Sequence, residues 1–306
     1  MTGTQDFVPD PRNARVLVSV DGALVPRDRA TVSVFDAGFS MGDGVWEGIR
    51  LHQGALTFLD AHLDRLFAGA AAISLDTGLD RAALTAAIWR CLDANAMTDG
   101  AHVRLMVTRG VKSTINQDPR NVVGAATVVI YVEYKAPPLR EPGAGLHVHT
   151  ASIRCTPARM VDMRINSHSR LALIMALNEA IAAGADEALM LDPHDRVSSC
   201  NATNFFWVND GVVRTSSGAY CFNGITRRHV IDLCRTHGLT IEVGDFALEH
   251  AHRAEEAFVT GTTGGLAPVR RIDDAVLPRI DGPITQKLAA LYAALKDADA
   301  AARPRP

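Results

Sequence analysis

The sequence predicts a mixed α/β (α+β) protein of two domains, and three observations carry that prediction. The 306 residues are 47% hydrophobic and 21% charged, a globular composition long enough for two cores of about 150 residues each. The stretch KAPPLREPGAG at 135–145 holds three prolines and two glycines in eleven residues. It divides the chain into a small N-terminal domain at 1–135, a linker at 136–145 and a larger domain at 146–306. Hairpin signals and helical periods alternate on both sides of it.

The elements follow in order. RVLVSVDGALV at 15–25 gives two short strands about an Asp-Gly turn. Residues 30–35 form a short β-like run, and DAGFSMGDG after them is a Gly-rich loop. Residues 59–73 carry Leu59, Leu63, Leu66 and Phe67 at helical spacing, and 81–95 form a second helix. HVRLMVTRG and NVVGAATVVIYVEY are rich in β-branched residues and predict strands. Beyond the linker come a strand (LHVHTASIRC), an amphipathic helix at 170–183 and a buried strand (EALMLD). A hairpin about Asn209-Asp210-Gly211, a helix at 225–237, the strand LTIEV and the strand-to-loop EAFVTGTTG follow. A terminal helix at 285–301 runs into RPRP, a frayed tail.

Composition excludes several functions. A net charge of −3 offers nothing for nucleic acid. No apolar run approaches the ~18 residues of a membrane span, and the first fifteen residues have no secretory apolar region. Five cysteines without a CxxC pair fit a reducing, cytoplasmic compartment. None of the eleven histidines has zinc-ligand spacing, so no metal is expected. Of the 31 basic residues only Lys112, Lys135, Lys287 and Lys296 are lysines, a short inventory of amine nucleophiles.

Three loops look like parts of one anion site. Gly42-Asp43-Gly44-Val45-Trp46-Glu47-Gly48-Ile49-Arg50 combines glycines with a guanidinium suited to phosphate. Asn223-Gly224-Ile225-Thr226-Arg227 opens a helix, where free backbone N–H groups and a hydroxyl form a cradle. Thr260-Gly261-Thr262-Thr263-Gly264-Gly265 follows a strand and offers amides and hydroxyls together.

The motifs SVFDAGFSMGDGVWEGIR, FLDAHLDRL, VRLMVTRG, EAIAAGADEALMLD, NATNFFWVNDGVVRT, NGITRRHVI and EEAFVTGTTGGLAPV stand in order across about residues 15–275. In this the chain resembles the class IV aminotransferases, the fold-type IV pyridoxal 5'-phosphate (PLP) proteins. These include branched-chain, D-amino acid and (R)-amine aminotransferases and aminodeoxychorismate lyase. The resemblance implies a two-domain fold-type IV architecture, PLP as cofactor, a homodimer, and an amino acid, keto acid or amine as substrate. It implies that Arg50, Ile225, Thr226 and Thr262 hold the phosphate, and that Asn204 belongs to the cofactor site. Arg109 and Arg104 stand at positions for a substrate carboxylate, Arg104 equally as a structural ion-pair residue; Phe39 and Thr263 fall on the substrate side.

Two positions depart from the family pattern. Thirteen residues before Glu179, where the family carries the lysine that forms a Schiff base with PLP and shuttles the substrate proton, this chain has Asn166. An amide is not basic and forms no imine. Five residues before Asn204, where a carboxylate usually keeps the pyridine nitrogen protonated, stands Ser199, which also fits an ordinary turn residue. Three functions are compatible with these departures. One is an aminotransferase in which asparagine has been put in place of the lysine. Another is a native lysine-less homologue that binds PLP or a different anion non-covalently and acts as a lyase, an isomerase or not at all. The third is a non-catalytic partner subunit or sensor. Lys112 follows the TRG strand in a loop that could border the family's cleft, and reads otherwise as a solvated loop lysine.

Overall fold

The computed structural model describes residues 3–4, 6–136, 143–303 and 305. Most of the proposed linker and part of the RPRP tail therefore lie outside the described residues. The chain forms two compact units. One comprises Pro9–Ala136, Ile165–Arg170 and Lys296–Pro306, and the other Met1–Val8, Pro137–Arg164 and Leu171–Leu295.

The first, N-terminal unit contains β1 (Leu17–Val20), β2 (Ala23–Pro26), α1 (Ala37–Met41), β3 (Gly44–His52), β4 (Ala55–Leu56), α2 (Leu59–Ala72), α3 (Arg81–Ala94), β5 (Ala101–Thr108) and β6 (Thr127–Tyr134). Its strands make an antiparallel sheet in the order β2-β1-β6-β5-β3-β4. Two connections are two-residue turns with both φ angles positive, Asp21-Gly22 and Gln53-Gly54, the twist-matched hairpin geometry. Strand alternation gives the sheet two unlike faces. Val45, Ile49, Leu51, Val103, Leu105, Val107, Ile130 and Val132 pack against Leu63 and Leu66 of α2 and Leu84, Ile88 and Leu92 of α3. The opposite face carries Trp46, Gly48 and Arg50 beside Met106, Arg104 and His102, with Tyr131 and Glu133 next in register.

Glu47 sits on the helix-covered face and is fully buried. It is tolerated because His62 Nδ1 lies 2.7 Å from one carboxylate oxygen, and Arg65 donates to both oxygens, each at 2.7 Å. Burial alone would raise its pKa, but these hydrogen bonds and charges hold it below the usual carboxylate range. The FLDAHLDRL motif thus carries the counter-groups of a core acid.

Two expectations fail in this unit. Residues 30–35 are not a strand; Val32, Val34 and Phe35 are exposed and have no ladder partner to reward extension. Gly42–Arg50 is not a loop, for Gly44–His52 is a full strand paired with β5. Its glycines serve strand packing. A Cβ on Gly44 would lie 2.6 Å from the Val107 carbonyl oxygen, and one on Gly48 3.0 Å from the His102 ring.

The C-terminal unit holds β7 (Leu146–Arg154), α4 (Leu171–Ala182), β8 (Glu187–Leu191), β9 (Val197–Cys200), β10 (Asn204–Asn209), β11 (Val212–Ser216), α5 (Ile225–Thr236), β12 (Ile241–Gly244), α6 (Leu248–His252), β13 (Glu256–Gly261), β14 (Gly265–Ile272) and β15 (Ala275–Val276). Helix α7 (Pro283–Ala302) begins here and ends in the other unit. The sheet order is β12-β11-β10-β13-β14-β7-β8-β9, with β15 on β14. The pairs β11–β12, β14–β7 and β7–β8 are parallel and the rest antiparallel. Phe205 and Trp207 stack in its core with ring centres 5.7 Å apart. Strand β8 is buried throughout, as expected. Helix α4 buries only Ala176 and Ala180 and exposes Leu171, Ile174, Met175 and Ile181 along one stripe. Leu173, Ala176 and Ala180 pack with Ala151, Ala188 and Met190, whereas the exposed stripe has no cover among the described residues. Among the described residues, no helix is long and apolar enough to cross a membrane.

Candidate active site

In the N-terminal unit the segment Ile165–Arg170 returns to flank the start of β3. The Trp46 N–H donates to the Asn166 carbonyl at 2.9 Å, and the His168 N–H donates to the Gly44 carbonyl at 3.0 Å. An isolated bridge joins Val45 and Ser167, so the segment acts as an extra antiparallel strand on that edge. Asn166 is buried and uses both ends of its amide. Its Nδ2 donates to the Trp46 carbonyl at 2.6 Å, and its Oδ1 accepts from the Arg170 guanidinium. Trp46 in turn donates its indole N–H to the Ser167 carbonyl at 3.2 Å.

The indole is also where two cations meet. The guanidinium carbon of Arg104 lies 4.2 Å from the ring centre and that of Arg170 5.1 Å. Burial and the charge of Arg104 pull the Arg170 pKa down to about 10. On the same sheet face Arg50 donates to the Lys135 carbonyl, and burial lowers its pKa. His102, beside Arg50 in register, is 6% exposed, and its Nδ1 has no hydrogen-bond partner among the described residues. Burial, then the charges of Arg104, Lys135 and Arg50, push its pKa down to about 3, so the imidazole is neutral. An orphaned buried nitrogen costs about 1–3 kcal/mol, a cost a ligand group can remove.

In the C-terminal unit Asn204 organises the start of α5. Its Oδ1 accepts from the Gly224 N–H at 3.1 Å, and its Nδ2 donates to the Phe222 carbonyl at 2.7 Å and to Ser199 Oγ at 3.0 Å. A Cβ on Gly224 would sit 2.3 Å from that Oδ1, so only glycine allows the approach. Helix α5 has no side-chain cap at its N-terminus, and the first N–H groups of a helix have no intrahelical acceptor. Thr226 Oγ1 lies 3.1 Å from the Tyr292 hydroxyl. Thr262 and Thr263 lie in the turn between β13 and β14, after Thr260, whose buried Oγ1 has no partner. Ser199 Oγ already donates to the Thr203 carbonyl at 2.7 Å.

Several expected roles are changed by this geometry. Arg109 is bound to Asp43, at 2.6 and 3.0 Å, and to the Ile73 and Ser74 carbonyls at the end of α2, the arrangement of a structural clamp. Arg104 forms no ion pair within 4 Å among the described residues, and Glu133 acts on it from farther away. Asn204 positions the cradle from behind, its amide being fully used. Phe39 on α1 is 69% exposed. Lys112 is buried, with Nζ donating to the Asp118 carbonyl at 2.9 Å. The sequence reading overlooked Arg170 and His102. Arg170 stands four residues after Asn166, and His102 two before Arg104 on one strand, and those spacings were the available signals.

An uncapped helix start, a glycine fixed by Asn204 and an orphaned threonine hydroxyl form a donor set for a bound anion. The N-terminal unit, taken by itself, holds two guanidinium groups beside one indole. The aminotransferase class IV family model matches residues 44–272, and the chain belongs to that family. It is 38% identical over 291 residues to the branched-chain-amino-acid aminotransferase-like protein 1 of Arabidopsis thaliana, covering 95% of this chain but 52% of that protein. The chain thus spans about half the length of that relative. A putative branched-chain-amino-acid aminotransferase of Methanocaldococcus jannaschii is 34% identical, with 89% of this chain and 93% of that protein covered. Among solved structures, the branched-chain aminotransferase of the archaeon Thermoproteus uzoniensis with norvaline superposes with a TM-score of 0.83. Its identity is 30%, covering 93% of this chain and 96% of that one. The mixed α/β fold is that of the fold-type IV aminotransferases.

Proposed function

We propose that this chain binds PLP without a covalent tether at position 166 and acts on an amino acid or its keto acid. One observation carries the reading: the Asn166 amide is built in at both ends, to Trp46 and to Arg170. A lysine could donate to Trp46 but could not accept from Arg170, which supports asparagine as the residue this surrounding fits. In the C-terminal unit the N–H groups of Ile225 and Thr226, with the hydroxyls of Thr226 and Thr262, would hold the phosphate; the family resemblance adds Arg50. PLP, when bound, supplies an aldehyde that condenses with amines and a ring that draws electrons from the adjacent C–H bond. Asn166 has no basic atom with which to take up the proton so released. Ser199 places a neutral hydroxyl, already donating to Thr203, where a carboxylate would hold a proton on the ring nitrogen. Both departures support slow or absent transamination, and Ser199 specifically supports altered chemistry of the lyase or isomerase kind.

The purified chain is expected to take up added PLP with micromolar affinity and to show no phosphopyridoxyl-lysine after borohydride reduction and peptide mass spectrometry. A modified Lys112, Lys135, Lys287 or Lys296 would refute the non-covalent reading. The exposed stripe of α4 supports a homodimer, and five cysteines, all free and buried, support a reducing cytoplasmic setting.

A further inference from the structure

The sheet face bearing Trp46 gathers positive charge. Arg104 makes no ion pair or hydrogen bond with any described residue, and its guanidinium lies against the indole. Arg170 approaches the same ring and is oriented by Asn166 Oδ1. The nearby acids Glu47 and Glu133 act on Arg170 and Arg104 from a distance, but their close contacts are made with other residues. Glu47 points to the opposite face and is held by His62 and Arg65. Glu133 accepts from the Tyr131 hydroxyl at 2.9 Å and lies 3.6 Å from Lys135. His102 adds a buried, unpartnered ring nitrogen to this face. Two guanidinium groups beside one indole repel each other, and an anion between them relieves that repulsion. Guanidinium forks match the two oxygens of a carboxylate.

We propose that Arg170, set by Asn166 and lying with Arg104 against Trp46, is a carboxylate-binding residue, so that the chain takes amino or keto acids and discriminates against simple amines. This rests on the proposal that the chain binds PLP and acts on an amino acid or its keto acid. Asn166 is then a positioning residue: it replaces an amine that would react with an acceptor that holds a guanidinium in place.

The test compares 4-methylvalerate with its neutral amide, 4-methylvaleramide, by calorimetry on the PLP-loaded full chain. The acid is expected to bind at least about tenfold tighter, with the preference shrinking at high salt. Arg170→Leu is expected to weaken acid binding about 10- to 100-fold while leaving amide binding and the PLP titration within about threefold. Arg170→Lys should recover part of the loss, and Asn166→Ala should lose about threefold or more. Equal binding of acid and amide by the unaltered chain overturns the proposal without any variant. So does undiminished acid binding by a folded Arg170→Leu chain, or a loss of PLP rather than of acid. If PLP does not load, the cofactor reading fails by itself. The acid–amide comparison on the cofactor-free chain then still decides the role of Arg170: a preference of tenfold or more supports it, and none sinks it.

Discussion

Asn166 shows how one amide can do what neither a cation nor an acid can do at the same place. It donates to a carbonyl and accepts from a guanidinium. Asn166→Lys removes the acceptor and sets a second cation beside Arg170, so a stability loss of about 1–3 kcal/mol is expected in urea denaturation. Glu47→Gln should cost more, roughly 3–5 kcal/mol, because it leaves the half-buried Arg65 and the buried His62 without their carboxylate. The contribution of Glu47 belongs to the high side of the pH scale. Its folded pKa lies below the unfolded value, so its stabilisation is present above the ordinary carboxylate range and is lost as pH falls through the folded value. Glu187 has the opposite sign. Burial pushes its pKa up to about 7 despite hydrogen bonds from Thr4. The folded state then binds more protons than the unfolded one, and stability falls as pH rises from about 4.5 to about 7. Glu187→Gln is expected to flatten that decline in a series of thermal melts, leaving the variant the more stable chain at pH 8.

At the level of elements, turns and helix starts were legible because their chemistry is local. Asp21-Gly22 and Asp210-Gly211 announce the positive φ pairs that were found, and GIT marks the start of α5. Strand β3 was not legible, since glycines at 42, 44 and 48 usually signal a loop. Here two of them make room for Val107 and His102 across the ladder, a demand set by residues far along the chain. Gly48→Ala is therefore expected to push His102 aside and cost about 1–3 kcal/mol in thermal unfolding. Gly224→Ala, with its Cβ against Asn204 Oδ1, should weaken PLP uptake at least tenfold while α5 persists in circular dichroism. The structural roles of Arg109 and Lys112 were likewise hidden, because their partners, Asp43 and the Asp118 carbonyl, sit in irregular segments without periodicity.

For the whole molecule, the mixed class and the family followed from ordered motifs spread along most of the chain. What resisted sequence reasoning was how the chain is shared between compact units, because a six-residue return carries no compositional mark. The unsatisfied surface lies on α4, where Leu171, Ile174, Met175 and Ile181 form one exposed stripe. Light scattering is expected to give twice the 32.8 kDa chain mass. Ile174→Asp with Ile181→Asp should return the single-chain mass; a monomer in the unaltered protein would remove the dimer expectation.

The return of Ile165–Arg170 to the edge of β3 has a practical outcome. A gene fragment ending at Ala136 would encode α1, α2, α3 and every strand of the first sheet yet omit the end of α7 and the short cover over Gly44–Trp46. The bare amides and carbonyls there would invite intermolecular strand addition. Such a fragment should precipitate, and a synthetic peptide spanning 163–171, added during refolding, should keep it in solution.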